Sequence, residues 1–263
     1  MVGVSRSTTR ICAFADPHGV LPDPDQFPAA DLYLLGGDVC PLSDHGVARQ
    51  AAWIASELAP WISELERRAP VAWVAGNHDF ALADRYGTGV VGAPSAEPAT
   101  YLQDASADVA GVRVWGSPHS VFLPYWAFMW PEGREGEGAE GFTLAEAWSR
   151  IDATADVLLV HGPPRAHGDL LADGVRRVGS TTLAERLGAH PAGLLVCGHI
   201  HEGYGQWEVE RGGLPPLTIV NASLMNERYE MVNEPVLIEL GADTAAVLAA
   251  ETEIGRLGLR ADW

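Results

Sequence analysis

Apolar residues along this chain gather into short unbroken runs, and the informative feature is how the runs stop. Residues 71–75 (V-A-W-V-A) are closed by Gly76-Asn77-His78-Asp79. A short β-branched run halted by glycine predicts a buried strand with a sharp turn at its carboxyl end. The same reading predicts strands at 9–15, 32–35, 112–115, 157–160 and 194–197. They run into Asp16-Pro17-His18-Gly19, Gly36-Gly37-Asp38, Gly116-Ser117-Pro118-His119, His161-Gly162-Pro163-Pro164 and Gly198-His199-Ile200-His201 respectively. Between 45 and 68, apolar residues recur at Val47, Ala51, Ile54, Leu58, Trp61 or Ile62, and Leu65. That spacing predicts a helix, which Pro60 should kink or divide. Further helices are expected from 142 to about 154 and over 181–188, with Gly188 as a stop. Residues 81–100 read as a loop, and 131–141, rich in glutamate and glycine, as an excursion. The stretches 206–210, 217–220, 235–240 and 244–249 have β character, the last being equally compatible with helix. Strands alternating with helices and followed by a β-rich tail predict an α/β core holding one large mixed sheet or two packed sheets.

Composition narrows the setting. A chain of 263 residues with 47% hydrophobic content fits one large domain spanning 1–263. Acidic residues number 35 against 17 basic, a net charge of −18. Such a field repels polyanions, so no nucleic-acid polymer is expected as partner, while a small phosphate ester is admissible where cations dominate locally. Cys12, Cys40 and Cys197 show no CxxC spacing and sit in or just after apolar runs, as buried thiols in a reducing compartment do. Residues 1–10 lack the hydrophobic region of a secretory signal, and no apolar stretch reaches the ~18 residues of a membrane span. A cytoplasmic location with no membrane partner is the expectation; oligomeric state is open.

The polar residues at the strand ends then define the chemistry. Asp16, His18, Asp38, Asn77, His78, His161, His199 and His201 offer oxygen and imidazole donors without thiolate, a set suited to manganese, iron or zinc. One ion needs three or four ligands, and here there are about twice as many. Two ions fit better, with Asp38 as the natural bridge. Paired ions roughly 3.5–4 Å apart clamp a phosphoryl group and generate a hydroxide nucleophile near neutral pH. Any one Asp or His after a strand is more often a cap or turn residue; so many at five strand ends are not a coincidence of turns.

In the order Asp-x-His, Gly-Asp, Gly-Asn-His-Asp, His-Gly and Gly-His-x-His, the chain resembles the calcineurin-like metallophosphoesterase superfamily at all five motifs, from residue 11 to about 240. The stretches GSP-x-x-x-x-x-P-x-WAF, HGPP-x-x-H-x-D, GHIHEGYG and VNAS are similar to the brain-type metallophosphoesterase-domain proteins and their bacterial relatives, which are metallophosphodiesterases. The resemblance implies a four-layer α/β/β/α sandwich of two mixed sheets flanked by helices. It implies that Asp16, His18, Asp38 and His201 bind a first metal, and Asp38, Asn77, His161 and His199 a second. His78 would serve as proton donor to the leaving group or hold the phosphate's charge.

The function expected is therefore a dinuclear metal-dependent phosphoesterase acting on a small phosphodiester, with a cyclic nucleotide as one candidate, through a metal-bound hydroxide. Manganese is the first expectation in vitro, with iron or zinc as alternatives. Phosphomonoesterase, nucleotide pyrophosphatase and a nucleotide-binding regulator with negligible turnover are the competing readings. Around this centre, His119 and His167 follow strand-end motifs and are candidates to touch substrate, while His190 is expected at the surface and His45 at a helix start. Asp79 would orient His78 or cap the next helix. The aromatics Phe122, Tyr125, Trp126, Phe128 and Trp130 are expected mainly as core, the alternative being a rim for a nucleobase. Asn221 and Ser223 would line the cleft or satisfy turn backbone.

Overall fold

The computed structural model describes residues 8–43, 45–83, 99–134, 141–241, 245–248, 254 and 259–261. In chain order its elements are β1 (Thr9–Phe14), β2 (Leu32–Leu35), α1 (Val47–Trp53), α2 (Ala59–Glu66), β3 (Val71–Trp73), β4 (Thr100–Tyr101), β5 (Ala105–Val109), β6 (Val112–Ser117), β7 (Ser120–Val121) and β8 (Met129–Trp130). There follow α3 (Leu144–Ser149), β9 (Val157–Val160), α4 (Thr181–Leu187), β10 (Leu194–Cys197), β11 (Gly205–Val209), β12 (Leu217–Asn221), β13 (Val236–Leu240) and β14 (Ala245–Leu248). Two six-stranded sheets result, in the orders β14-β13-β1-β2-β3-β4 and β11-β12-β10-β9-β6-β5. Both are mixed: β1, β2 and β3 pair in parallel, as do β6, β9, β10 and β12, while β13 runs antiparallel to β1 and β11 to β12.

Residue parity shows how the layers stack. Ile11, Ala13, Leu32, Leu34, Ala72 and Val74 point from the first sheet into one core with Val114, Val157, Leu159, Leu194 and Val196 of the second. The alternate residues Cys12, Phe14, Tyr33, Leu35 and Trp73 face outward against Ile54, Leu58, Trp61, Ile62 and Leu65 of the helical segment before β3. On the other side Trp115, Leu158, Val160, Leu195 and Cys197 pack on Leu144, Trp148, Leu183 and Leu187 of α3 and α4. Period-two side chains buried on both faces explain why these strands read as unbroken apolar runs. At about 1.5–3 kcal/mol for each large apolar side chain, this double burial is the main force holding the strand ends in register. The architecture is the expected four-layer α/β/β/α sandwich.

The predicted break at Pro60 takes a specific form. Residues Ile54–Leu58 are a π-helix joining α1 to α2, and Ala59 N–H reaches back to the Ile54 carbonyl. Pro60 sits in the first turn of α2. Proline supplies no N–H and crowds the carbonyl four residues back, so a widened turn ahead of it lets the helical path continue. Helix α3 is shorter than expected at Leu144–Ser149, closed off by a Thr143–Glu146 capping box at its start. The ambiguous segment 244–249 is strand β14 where it is described. Most of the 81–100 loop lies outside the described residues. Its ends are a 3₁₀ turn at Phe80–Leu82 and strand β4. Among the described residues no helix is long and apolar enough to cross a membrane.

Candidate metal centre

Every strand-end motif arrives at the same edge of the sandwich, and the backbone there is bent hard. Asp16, His18, Asp38 and His199 have φ of 56°, 44°, 52° and 68°, in the left-handed region. Asp, Asn and His tolerate that region better than other side-chain-bearing residues, and strain of this kind gathers at functional sites. The turn aims each side chain back across the strand ends rather than along the strand. Glycine is required where two turns touch: a Cβ on Gly76 would overlap the Asp38 carboxylate and the His161 ring, and one on Gly198 would overlap the Asp16 carboxylate.

Asp38 lies at the centre. Its Oδ1 accepts the His78 backbone N–H at 2.8 Å. Its Oδ2 stands 3.4 Å from His161 Nε2, 3.8 Å from His18 Nε2 and 4.0 Å from His78 Nε2. On one side Asp16, His18 and His201 bring ligand atoms within 4.8 Å of one another; on the other, Asp38, His161 and His199 do the same. His18, Asp38 and His78 form a third such group between them. Asn77 Oδ1 is 3.0 Å from His161 Nε2. Asp16 is fixed by the His199 backbone N–H, which reaches both carboxylate oxygens at 3.0 and 3.1 Å, and by the Ser223 hydroxyl.

The donor set fits metal ions. His161 gives Nδ1–H to the Gly36 carbonyl at 2.9 Å, and His201 gives Nδ1–H to the Asn226 carbonyl at 2.9 Å. Each Nδ1 is thereby occupied by a backbone carbonyl, which leaves Nε2 facing inward as the atom available to a metal. Inward-facing heteroatoms crowd together there: His201 Nε2 lies 3.1 Å from His18 Nε2, and His161 Nε2 lies 3.0 Å from Asn77 Oδ1. The buried Nδ1 of His18 has no hydrogen-bond partner. Ligand atoms buried this close together are the arrangement a cation among them would stabilise.

Electrostatics agrees with this arrangement. Burial, together with the neighbouring imidazoles, holds His18 well below its ordinary value, His78 at about 4 and His199 at about 3, so their rings are neutral near pH 7. Burial opposes ionisation of Asp38, yet His161, His78 and His18 outweigh it and keep the carboxyl well below the usual range. Burial raises the Asp16 carboxyl, and among the histidines with a shift His161 alone moves upward: burial lowers it, but Asp38 and Asp16 win and raise it to about 9. A metal ion beside Asp38 would take the place of that proton.

Other predicted residues fall elsewhere. A cleft of about 300 Å³ opens over the centre, lined by Asp38, Asn77, His78, His199 and His201 and walled by Trp126, Met129, Tyr229 and Leu171. His119 and His167 do not line it. His119 is buried with Nε2 3.1 Å from Asp104 Oδ2 and its ring against Phe128, Trp130 and Phe142. His167 lies beside Trp207 and lines a separate depression with Arg165 and Ile219. His190 is buried rather than surface, its ring satisfying the Asp152 carbonyl and the Ala192 N–H where the chain turns back into β10.

Asp79 neither orients His78 nor caps a helix. Its oxygens accept N–H groups from Gly76, Val39 and Cys40, tying the turn after β2 to the turn after β3. Burial and the Asp38 charge push its carboxyl up to about 6. Asn221 holds the carbonyls of Gly168, Gly198 and Ile200, so it braces the ligand loops rather than lining the cleft, and Ser223 braces Asp16. The aromatic cluster divides: Phe128 is core, Trp126 is a cleft wall, and Tyr125 is 89% exposed. His45 packs 5.2 Å from Trp126 and 5.7 Å from His78, at the rim.

Sequence reading missed Tyr229. It has φ 56° and sets its ring 5.1 Å from both His18 and His201. The only signal was proximity to the VNAS stretch.

Comparison with known proteins places this geometry. Metallophosphoesterase domain-containing protein 1 of Homo sapiens and its Mus musculus counterpart are each 29% identical over 253 residues, covering 88% of this chain and 71% of the relative. A UPF0046 protein of Caenorhabditis elegans is 32% identical over 143 residues, 54% of this chain and 33% of its own length. The crystal structure of TT1561 of Thermus thermophilus aligns with a TM-score of 0.56 at 19% identity, over 92% of this chain and 99% of that one, a likeness of fold. The model of the calcineurin-like phosphoesterase family matches residues 9–203, which carry every clustered Asp and His described above, and the chain belongs to that family of metal-dependent phosphoesterases.

Proposed function

We propose that this protein hydrolyses small phosphodiesters at a centre of two metal ions. The observation that carries the reading is the convergence of three imidazole nitrogens on one oxygen of Asp38. Asp16, His18, Asp38 and His201 would hold one ion, and Asp38, Asn77, His161 and His199 the other, manganese, iron and zinc all suiting the donors. Bound there, the ions supply Lewis-acid polarisation of the phosphoryl oxygen and activation of water near neutral pH. The chain's own contribution is to keep the ligands neutral or anionic as required, and to present His78. That imidazole lines the cleft with Nε2 4.0 Å from Asp38 Oδ2, and as a neutral ring it would give an Nε2–H hydrogen bond to the departing oxygen.

Charge supports a diester over a monoester. Among the described residues lining the cleft there is no Lys or Arg, while Glu202 and Glu227 are present. Arg228 pairs with Glu227 at 3.5 Å but does not itself line the cleft. A diester carries one negative charge; a monoester carries nearly two near pH 7 and meets more repulsion. A cleft of about 300 Å³ also suits a small molecule, a cyclic nucleotide included. All three cysteines are buried, which supports a cytoplasmic setting. Turnover of bis(p-nitrophenyl) phosphate and p-nitrophenyl phosphate, compared across manganese, iron, zinc and magnesium, tests the reading. The expected kcat/KM favours the diester by about tenfold or more, equal to about 1.4 kcal/mol. Preference for the monoester would overturn the diester reading, and no turnover of either would favour a binding role.

A further inference from the structure

His78 is held differently from His161 and His201. His161 and His201 are each steered by a carbonyl on Nδ1, whereas the buried Nδ1 of His78 has no hydrogen-bond partner. Among the described residues none grips that ring nitrogen, so the direction of the ring depends on its backbone and on packing. The packing is a Trp126 ring 4.4 Å away and a His18 ring 4.7 Å away. The backbone is pinned on both sides. His78 N–H donates to Asp38 Oδ1, and the His78 carbonyl accepts from Gln50 Nε2 at 2.8 Å.

Gln50 comes from α1, 28 residues earlier, and is 1% exposed. Its Oε1 accepts the Ala81 N–H at 3.0 Å, so one side-chain amide spans the turn from His78 to Ala81. Helical spacing puts it on the face shared with Val47, Ala51 and Ile54, which pack on the core. An apolar residue would fill that position without the cost of desolvating an amide. Packing alone does not account for the amide, and its bonds go to the turn that carries His78.

We propose that Gln50 is a positioning residue for His78, acting through the His78 carbonyl to hold the imidazole against the reacting phosphoryl group. This rests on the role given to His78 under the proposed function. The competing role is a structural one, steadying the turn for the ligand Asn77.

A double-mutant cycle on the manganese-loaded protein separates the two. Gln50→Glu keeps the volume and the acceptor towards Ala81 but sets an oxygen against the His78 carbonyl; Gln50→Leu removes both bonds. The expected result is a fall in kcat of roughly 10- to 100-fold in each, with KM and bound metal unchanged. In a His78→Ala background the same substitutions should change kcat by no more than about twofold. Thermal unfolding shows whether each variant is folded, and if Gln50→Leu is not, Gln50→Glu decides. Equal losses in both backgrounds, or loss of metal, would overturn the positioning role while leaving His78 in place. A His78→Ala protein with undiminished kcat would overturn both.

Discussion

Replacing Asp38 by alanine is expected to lower kcat/KM by roughly three orders of magnitude or more, about 4 kcal/mol, and to lower bound metal with it. The carboxylate has two separate duties. Oδ1 fixes the His78 backbone, and Oδ2 is the atom on which His161, His18 and His78 converge. Alanine removes the shared ligand and the charge that holds His161 in its raised state. It leaves a buried imidazole cluster without its counter-charge, which itself costs stability. Asp38→Asn separates these effects, since an amide keeps the shape, tolerates the positive φ and can still accept from His78 N–H. It should retain the fold, measured by thermal unfolding, yet lose metal and activity together. Full metal content or near-native turnover in either variant would contradict a bridging role.

His78→Ala should behave differently. A positioned acid or hydrogen-bond donor contributes typically ~10²–10⁴-fold, so kcat is expected to fall at least about a hundredfold. Bound metal should be unchanged, because the other Asp, Asn and His residues of the centre remain. His78 nevertheless groups with His18 and Asp38 within ligand reach. Metal analysis of the variant decides: a loss of metal would make His78 a ligand and remove it from the role of donor.

The parts of this protein that were legible in the sequence are those where local pattern and final position coincide. Val157–Val160 and Leu194–Cys197 are strands over the very residues of their apolar runs. A side chain one to three positions beyond such a strand has little choice of where to go, which is why Asp16, Asp38, His161 and His199 lie within the clustered groups at the strand ends. Edge strand β5, with the sequence A-S-A-D-V and only Val109 buried, carries too little apolar signal to be read. His119 follows a strand end as His161 does, but Asp104 claims the ring and Phe128, Trp130 and Phe142 pack around it. His190 stands in a Gly/Pro stretch that looks exposed, yet its ring is buried between the Asp152 carbonyl and the Ala192 N–H. The clamps were invisible for a different reason. Gln50 to His78, Asn221 to Gly168 and Ser223 to Asp16 join residues 28, 53 and 207 positions apart, and each uses a polar type that is ordinary in its local context.

Counting metal per chain tests the central claim most directly. The purified protein, reconstituted with manganese and freed of excess, should hold two equivalents, and His201→Ala should reduce the count while Asp38, His161 and His199 still retain an ion. A single equivalent in the unaltered protein, indifferent to the loss of His201, would contradict the two-ion centre.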